Sequence, residues 1–525
     1  MNPTTEAQSP NTSVRCIQIP GLSVRPKQIF KKTCSEKIPE STPMLDSATN
    51  SATIEFSKEQ NEALDLFKQG KNLFITGPGG TGKTLLIKEF IKQAYLADKE
   101  IQVCALTGCA SLLLGKGART IHSWSGIKLA KGPNQRVIDQ ALKNRLAKKA
   151  WTSTDILVID EVSMMSHKIL NILEELARRA RRSSRPFGGI QVIFCGDFYQ
   201  LGPVGDQAEP ETTEFCFQSP LWFQIFPVEN HIQLHTIFRQ TDQQYIQILN
   251  EIRQGTLSPE NIRLLQTHKD RPPFTSTTHN DCYLTKLFPV RSRVDYINKL
   301  MFDKIQEPIK ESNLIKNTNL TTYIETGKPF EDEVIELCNN LSHEDKLREI
   351  EKLTTSSNLL PVLQLKKGAA VMCLTNLDID RGICNGSQGV IIDFVGPAPK
   401  VKFANGVIEV IPLHQIQSDE YPCISIAQYP LCFAWAMTIH KMQGATLDMA
   451  QIDIGSSIFD YGQTYVALSR IRNLDGLYLS DFNPMRIRAN PKVQEFYQKI
   501  SATNPTSAPT SATTSATNSA PQIKL

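Results

Sequence analysis

The stretch GPGGTGKT at 77–84 constrains this chain more than any other part of its sequence. It fits the pattern G-x-x-x-x-G-K-[ST] and follows an apolar run, Asn72–Thr76, that predicts a buried strand. After it, apolar side chains recur at helical spacing at Ile87, Ile91 and Tyr95. A strand, a glycine loop and a helix in this order favour anions, because backbone N–H groups and the helix N-terminus both point at the ligand. The sequence therefore predicts a nucleoside triphosphate site.

The residues of this loop have expected roles. Lys83 is expected to reach the β- and γ-phosphates of ATP, and the Thr84 hydroxyl is expected to bind Mg²⁺. Upstream, Gln60 lies three residues after Ser57, which is typical of a helix capping box. Its amide could instead make a bidentate contact with the N6/N7 edge of adenine. The predicted nucleotide-binding residues are Gln60, Gly77, Gly79, Gly80, Thr81, Gly82, Lys83 and Thr84.

Two carboxylates follow a second strand-like run. Ile156–Ile159 is entirely apolar, as in a parallel strand covered on both faces, and Asp160 and Glu161 come directly after it. Open α/β sheets bind ligands at this end of their strands. Asp160 is expected to hold Mg²⁺, and Glu161 to position and deprotonate the attacking water.

Three further residues are candidates for sensing the terminal phosphate. Gln200 follows a third apolar strand, Gln191–Asp197, and its amide could report whether a γ-phosphate is present. Arg239 in TIFRQ and Arg470 in QTYVALSRIR could reach the triphosphate and stabilise transition-state charge, as an arginine from a second domain does. Neither arginine is specific by itself, because a surface arginine is the more common case.

Composition limits the remaining choices. A chain of 525 residues is expected to form two to four domains, and no apolar run approaches the roughly 20 residues of a membrane helix. The net charge of +4 does not by itself demand nucleic acid. The basic clusters at 143–149 and 178–185 are each typical of a solvated helix face. The twelve cysteines include no C-x-x-C pair, which favours reduced, buried thiols over disulfides or zinc.

Both ends of the chain are polar and biased in composition. Residues 1–52 predict a disordered basic arm, and 496–525 predict a low-complexity tail that cannot build a core. With the cysteine pattern, this favours a reducing intracellular compartment: the nucleus or mitochondrion in a eukaryote, or the host cell for a virus.

Ordered segments along most of the chain carry a family resemblance. The chain resembles superfamily 1 DNA helicases of the Pif type, which are related to RecD. The segments that carry it are FSKEQ, GPGGTGKT, LTGCASLLLGKGARTIHSW, DILVIDEVSMMS, GGIQVIFCGDFYQLGPV, TIFRQ, LKKGAAVMCLTN, NGSQGVI, AWAMTIHKMQGATLD and TYVALSRIR. Gly202 and Met442 depart from residues that are common in the family, and neither is a proposed catalytic group.

The resemblance implies an α/β fold of two RecA-like parallel-sheet motor domains with ATP in their cleft. It places the first domain at 53–240, with a wedge-type insertion at about 127–150, and the second at 241–384 and 430–495. Short runs separated by Gly and Pro predict a small β-barrel insertion at 385–429. In relatives, such a barrel lies over the DNA channel.

The resemblance also assigns site residues. It places Lys83, Glu161, Gln200, Arg239 and Arg470 in catalysis, and Thr84 and Asp160 at the metal. The residues it places along a single-stranded DNA track are Thr107, His122, Thr438, His440, Lys441 and Gln443. Ring side chains on such a track can stack on bases. Trp124 could stack in this way or pack in the core, and Trp435 is interpreted as core packing.

The function that the resemblance implies is an ATP-dependent 5′-to-3′ DNA helicase, monomeric and active in replication, repair or recombination. It would use ATP and Mg²⁺ and act on single-stranded and forked or structured DNA, away from membranes. A DNA-stimulated ATPase that remodels protein–DNA complexes without strand separation would share every motif. A non-catalytic single-strand-binding subunit is disfavoured by the intact catalytic residues, and an RNA helicase by the family match alone.

Overall fold

The computed structural model describes residues 55–107, 110–111, 114, 117–269, 271–272, 284–318, 332–357, 359–375, 377–378, 381–383, 386–418, 421 and 423–503. The chain divides into two units at residue 55, and the account below concerns the second, which begins at Phe56. The predicted N-terminal arm at 1–52 lies outside the described residues, as does the predicted tail from 504 onward.

The first motor domain is built on a parallel six-stranded sheet of order β3-β2-β4-β5-β1-β6. Its strands are β1 (Leu73–Thr76), β2 (Ile101–Ala105), β3 (Arg119–Thr120), β4 (Ile156–Asp160), β5 (Gln191–Gly196) and β6 (His231–Gln233). Its helices are α1 (Lys58–Lys68), α2 (Lys83–Leu96), α3 (Ile121–Trp124), α4 (Asn134–Lys143), α5 (Arg145–Ser153), α6 (His167–Arg181) and α7 (Trp222–Ile225). The strands β1, β4 and β5 are buried along their whole length, as the apolar runs predicted. Ala105 pairs with Asp160 and Thr76 with Gly196, so the carboxyl ends of these strands form one edge.

The predicted wedge insertion at 127–150 is helical. Its helices α4 and α5 are amphipathic, and their buried faces join the core of the first motor domain. The Trp151 indole N–H donates to the Ser125 carbonyl over 3.1 Å. The centres of the Trp151 and Trp124 rings lie 4.5 Å apart. Trp124 is therefore a core residue, and its ring is not available to a base. Whether this segment meets a duplex stays a prediction.

The second motor domain contains a parallel four-stranded sheet of order β18-β7-β19-β20. Its strands are β7 (Thr285–Phe288), β18 (Ala436–Thr438), β19 (Ala450–Ile454) and β20 (Leu477–Phe482). Its helices are α8 (Gln243–Arg253), α9 (Pro259–Lys269), α10 (Arg291–Lys304) and α13 (Gln463–Leu468). Trp435, which precedes β18, is buried, as interpreted from the sequence.

Antiparallel strands occupy the predicted barrel region. The remaining elements are β8 (Lys310–Asn313), β9 (Ile315–Asn317), α11 (Asp332–Asn339), α12 (His343–Ser357), β10 (Val362–Leu365), β11 (Ala370–Cys373), β12 (Gln388–Val395), β13 (Ala398–Phe403), β14 (Ile408–Val410), β15 (His414–Gln417), β16 (Ser425–Gln428) and β17 (Leu431–Phe433). They form a five-stranded sheet, β14-β13-β12-β11-β17, a three-stranded sheet, β15-β16-β9, and the pair β10-β8. The sheets recruit strands from both sides of 385–429, so the structural unit is wider than predicted.

Cys338 and Cys423 form a disulfide in this region, which corrects the prediction that the cysteines are unpaired. The two residues lie 85 positions apart in the sequence, and no local spacing pattern identifies such a pair. Cys104, Cys195 and Cys373 are buried thiols, as the apolar runs around them predicted.

The last described helix, α14 (Pro491–Thr503), returns to the first motor domain. Its apolar face, Val493, Phe496, Tyr497 and Ile500, is buried in the core that also contains Phe198. The Tyr497 hydroxyl accepts a hydrogen bond from the Phe198 N–H over 3.2 Å. The ordered fold thus extends into the predicted tail, whose boundary at 496 falls inside this helix. None of the described helices combines the length and apolar composition needed to cross a bilayer.

We expect a chain ending at residue 490 to lose much of its stability. Burying the four apolar side chains of α14 contributes on the order of 1.5–3 kcal/mol each, against a typical total stability of about 5–15 kcal/mol. Thermal melts of chains ending at 490 and at 503 test this, the second serving as the matched control. Equal melting temperatures would show that α14 adds nothing to the first motor domain.

Candidate active site

The glycine loop lies between β1 and α2, at the carboxyl edge of the first sheet. Gly82 caps α2 in the left-handed conformation, with φ of 81° and ψ of 18°. Gly80 also has a positive φ of 89°, and a Cβ there would lie 2.5 Å from Cβ of Arg239. Only glycine fits that approach without displacing Arg239. The loop therefore presents backbone N–H groups at the start of a 14-residue helix, which is the arrangement an anion requires.

Lys83 folds back onto the loop to which it belongs. Its ammonium donates to the carbonyls of Gly77 and Pro78, over 2.8 and 3.0 Å. Burial lowers the pKa of Lys83, against the raising influence of Asp197, Glu161 and Asp160. A triphosphate would compete with the two carbonyls for this ammonium group.

Asp160 and Glu161 lie together where β4 ends. Asp160 is buried, and its carboxylate accepts from the Glu161 N–H over 2.9 Å. Burial and the neighbouring Glu161 raise the pKa of Asp160 to about 7. Glu161 itself has left-handed backbone angles, φ 55° and ψ 40°, which are uncommon for a non-glycine residue.

The donor set around Asp160 fits Mg²⁺. The positive charge of Lys83 compensates this buried carboxylate only in part, and a divalent cation would supply more. Mg²⁺ usually takes one or two carboxylates together with substrate phosphates and water. Thr84 lies in the first turn of α2 and is exposed. These are the two residues that the sequence predicted for the metal.

We expect Asp160→Asn to stabilise the protein in the absence of divalent cations and nucleotide. The pKa of Asp160 in the folded protein is raised from its ordinary value of 3.8. Between these two values the folded protein keeps a proton that the unfolded chain has lost. The free energy of unfolding therefore falls as pH rises towards 7. The substitution removes this cost. The gain should be near zero at about pH 4 and on the order of 1–3 kcal/mol at about pH 8.

Urea unfolding of the wild type and Asp160→Asn at both pH values measures this gain. A gain that is absent at high pH, or that is larger at low pH, would contradict the raised pKa.

The two predicted arginines converge on the loop. Arg470 is fully buried, and its Nη2 lies 3.6 Å from where a Cβ on Gly79 would stand; Nη1 of Arg239 lies 3.7 Å from the same point. Arg239 also donates to the Ser469 carbonyl over 3.3 Å. Burial and the nearby Arg239 lower the pKa of Arg470 to about 9. Two guanidinium groups that approach each other in this way favour an anion between them.

Tyr465 is a site residue that sequence reasoning missed. It lies on α13, and its hydroxyl accepts a hydrogen bond from the Gly79 N–H over 2.9 Å. Burial raises the pKa of Tyr465 to about 12, so the hydroxyl stays neutral. The second domain thus contacts the phosphate loop through Tyr465 as well as through Arg470. The sequence signal was only its position five residues before that arginine.

Gln200 lies four residues beyond the carboxyl end of β5. It is buried, and its side-chain oxygen has no hydrogen-bond partner in the described part of the chain. Its main chain packs against Gly462, at the start of α13, where a Cβ would lie 2.7 Å from the Gln200 carbonyl. Nearby, the buried Asp197 carboxylate accepts two hydrogen bonds from Arg253, over 2.8 and 3.0 Å. The predicted sensor therefore borders both domains.

Gln60 forms the capping box that its sequence indicates, and its contact with adenine stays a prediction. It completes the capping box with Ser57, and its amide N–H also donates to the Thr81 carbonyl over 3.2 Å. The Phe238 ring lies beside Gly82 and is 55% exposed. Sequence reasoning missed Phe238, which offers a flat aromatic face next to the amide of Gln60.

The predicted DNA-track residues occur on both domains. Thr107 follows β2, His122 lies on α3, and both are half-buried; burial lowers the pKa of His122. In the second domain, Lys441 is exposed, and half-buried His440 stacks on Phe459 with ring centres 6.1 Å apart. The remaining members of the set are Thr438, which is half-buried, and Gln443, which is buried. Phe459 was missed by the sequence.

Gln443 faces the catalytic carboxylates. Its side-chain N–H donates to the Glu161 carboxylate over 3.0 Å, across the cleft between the domains. This contact does not test a role in DNA binding, but it places the residue directly against the predicted base.

Comparisons with known proteins agree with this geometry. A family model described as PIF1-like helicase matches residues 55–263, and one for the 2B domain of the DNA helicase Pif1 matches 353–394. An ATP-dependent DNA helicase Pif1 from Bdellovibrio bacteriovorus is 33% identical over 85% of this chain and 92% of its own length. The chain belongs to the PIF1-like helicase family.

PIF1-like helicases of vertebrates are longer. The ATP-dependent DNA helicases PIF1 of Danio rerio and Homo sapiens are each 34% identical to this chain, which spans 64% and 63% of their lengths. The crystal structure of Pif1 helicase from Candida albicans matches 85% of this chain and 100% of its own, with 32% identity and a TM-score of 0.68. Bacteroides Pif1 in complex with ADP-AlF4 matches 86% and 98%, with 26% identity and a TM-score of 0.64. The predicted family and α/β fold class are confirmed.

Proposed function

We propose that this chain is an ATP-dependent DNA helicase that moves 5′ to 3′ on single-stranded DNA and separates duplex or structured DNA. The observation that carries the proposal is the convergence of Arg239 and Arg470 on Gly79 of the phosphate loop. A terminal phosphate at that position would be held by groups from both domains. ATP binding and hydrolysis can therefore change how the domains meet.

The catalytic roles follow from the positions of the side chains. Lys83 would exchange the loop carbonyls for phosphate oxygens, and Glu161 would accept the proton of the attacking water. Arg239 and Arg470 would stabilise charge that develops on the transferred phosphoryl group. Thr84 and Asp160 would hold Mg²⁺, which would supply positive charge beside the phosphates.

Recognition of the base and of the DNA would use separate surfaces. Gln60 would pair with the adenine edge, and Phe238 would stack on its face. Thr107, His122, Thr438, His440 and Lys441 would line the strand, since hydroxyl and basic side chains suit phosphates. Bacteroides Pif1 has been crystallised bound to single-stranded DNA, which supports this assignment.

Unwinding of forked DNA tests the proposal. A labelled duplex with a single-stranded 5′ overhang and one with a 3′ overhang are mixed with the protein, ATP and Mg²⁺. We expect strand separation of the 5′-tailed substrate only, with Lys83→Ala as the inactive control. Separation of the 3′-tailed substrate alone would reverse the direction. DNA-stimulated ATP hydrolysis without strand separation would instead favour a translocase that remodels protein–DNA complexes.

A further inference from the structure

One short segment of the second domain touches two catalytic groups. This segment, residues Thr438–Ala445, is called the coupling segment below. It begins at the end of β18 and passes through a helical turn at His440–Met442. Beyond that turn, Gln443 donates to the Glu161 carboxylate over 3.0 Å, and the Ala445 carbonyl accepts from Nη1 of Arg470 over 3.2 Å. The candidate base and the candidate arginine thus both contact the same short segment, one through a side chain and the other through a main-chain carbonyl.

The first half of the coupling segment is more exposed than Gln443. Lys441 is exposed and His440 is half-buried against the exposed ring of Phe459, whereas Gln443 is buried. The proposed function places the exposed half on the DNA. A DNA strand bound there would therefore displace the backbone that carries Gln443.

The hydrogen bond between Gln443 and Glu161 keeps the carboxylate from acting as the proposed general base. One of its two oxygens already accepts a hydrogen bond from an amide of the second domain. A general base must lie within hydrogen-bond reach of the water that it deprotonates. A carboxylate held across the cleft is poorly placed for that water.

The amide of Gln443 is held in this orientation by little else. Its side-chain oxygen is buried and has no hydrogen-bond partner within the described residues. A buried, unpaired acceptor is unfavourable, so the packing around the amide does not by itself favour this orientation. Loss of the single bond to Glu161 is enough to release the side chain.

We propose that Gln443 is a positioning residue that restrains Glu161 until DNA engages the coupling segment. DNA contact shifts the segment, breaks the bond to Glu161 and frees the carboxylate to meet water. The same shift alters the Ala445 contact and releases Arg470 towards the phosphate. This inference rests on the proposed function, and it gives ATP hydrolysis a physical reason to depend on DNA.

Gln443→Ala tests the restraint. Steady-state ATP turnover is measured without DNA and with a saturating single-stranded oligothymidylate, and affinity for the same oligonucleotide by fluorescence anisotropy. A hydrogen bond to a charged group is lost, so we expect turnover without DNA to rise about tenfold. DNA-saturated turnover should change little, so the stimulation ratio should fall. Gln443→Asn, too short to reach Glu161, should behave in the same way.

Gln191→Ala is the matched control. Gln191 is also a buried glutamine whose amide donates to main-chain carbonyls, but it lies at the opposite end of β5 from the site. Its loss should leave turnover without DNA unchanged. Thermal melts identify any variant whose fold is damaged, and the Asn variant then replaces the Ala variant.

Three results would overturn the inference. Turnover without DNA that stays the same or falls would show that Gln443 does not restrain Glu161. Weaker DNA binding with unchanged basal turnover would make Gln443 a DNA contact, as the sequence predicted. A wild-type protein whose ATP turnover ignores DNA would remove the proposed function and this inference together.

Discussion

Replacing Glu161 with Gln should abolish ATP turnover while leaving both binding activities in place. The amide keeps the shape of the side chain and can still accept a hydrogen bond from Gln443, but it cannot take a proton from water. General-base catalysis contributes about 10²–10⁴-fold, so turnover should fall by that factor. Nucleotide and single-stranded DNA affinities should stay within about threefold of the wild type, a change worth under 1 kcal/mol.

Single-turnover hydrolysis and equilibrium binding of a non-hydrolysable ATP analogue make this comparison. Asp160→Asn serves as the contrast, since it should reduce the metal-dependent part of nucleotide binding as well. Turnover retained in Glu161→Gln would remove Glu161 as the base and leave the left-handed backbone at this position without a catalytic explanation.

Replacing Arg470 should separate DNA binding from ATP hydrolysis. An arginine that stabilises the transferred phosphoryl group contributes about 10³–10⁵-fold to turnover. Arg470→Ala should therefore lose most turnover and its response to DNA, while single-stranded DNA still binds. Arg470→Lys keeps the positive charge but loses the fork of donors that reaches the Val466 and Ala445 carbonyls, so it should recover only part of the rate.

Turnover is measured across a DNA titration for all three proteins. Because Arg470 is fully buried, a thermal melt must accompany each variant. DNA stimulation that is unchanged in a folded Arg470→Ala protein would contradict the role of this arginine.

The phosphate loop and the carboxylates were predictable because their geometry is local. A strand, a glycine loop and a helix fix the positions of Lys83 and Thr84 within a dozen residues. The strand end that carries Asp160 and Glu161 is equally local, because a fully buried parallel strand is an apolar run. Such short-range sequence patterns identify the candidate catalytic residues without knowledge of the tertiary contacts.

The contacts that join the domains could not be predicted in the same way. Gly79 and Tyr465 lie 386 residues apart, and Glu161 and Gln443 lie 282 apart, so no spacing rule relates them. Tyr497 was missed because the composition of the tail beyond it obscured a short amphipathic helix. The contact between Gln443 and Glu161 depends on how the two domains pack against each other.

The region 385–429 contains short strands, as the runs separated by Gly and Pro predicted. Burial alternates along β13, since one face of an antiparallel sheet packs on the core. The neighbours β11 and β17 lie on either side of the predicted limits, and strand pairing over such distances depends on tertiary packing.

ATP turnover with and without single-stranded DNA tests the central claim most directly, that a phosphate gripped by both domains drives motion along a strand. We predict turnover that rises at least about tenfold with an oligothymidylate and that disappears in Lys83→Ala, whose ammonium is needed at the phosphates. Turnover that is absent in the wild type, or that is indifferent to DNA, would contradict the account.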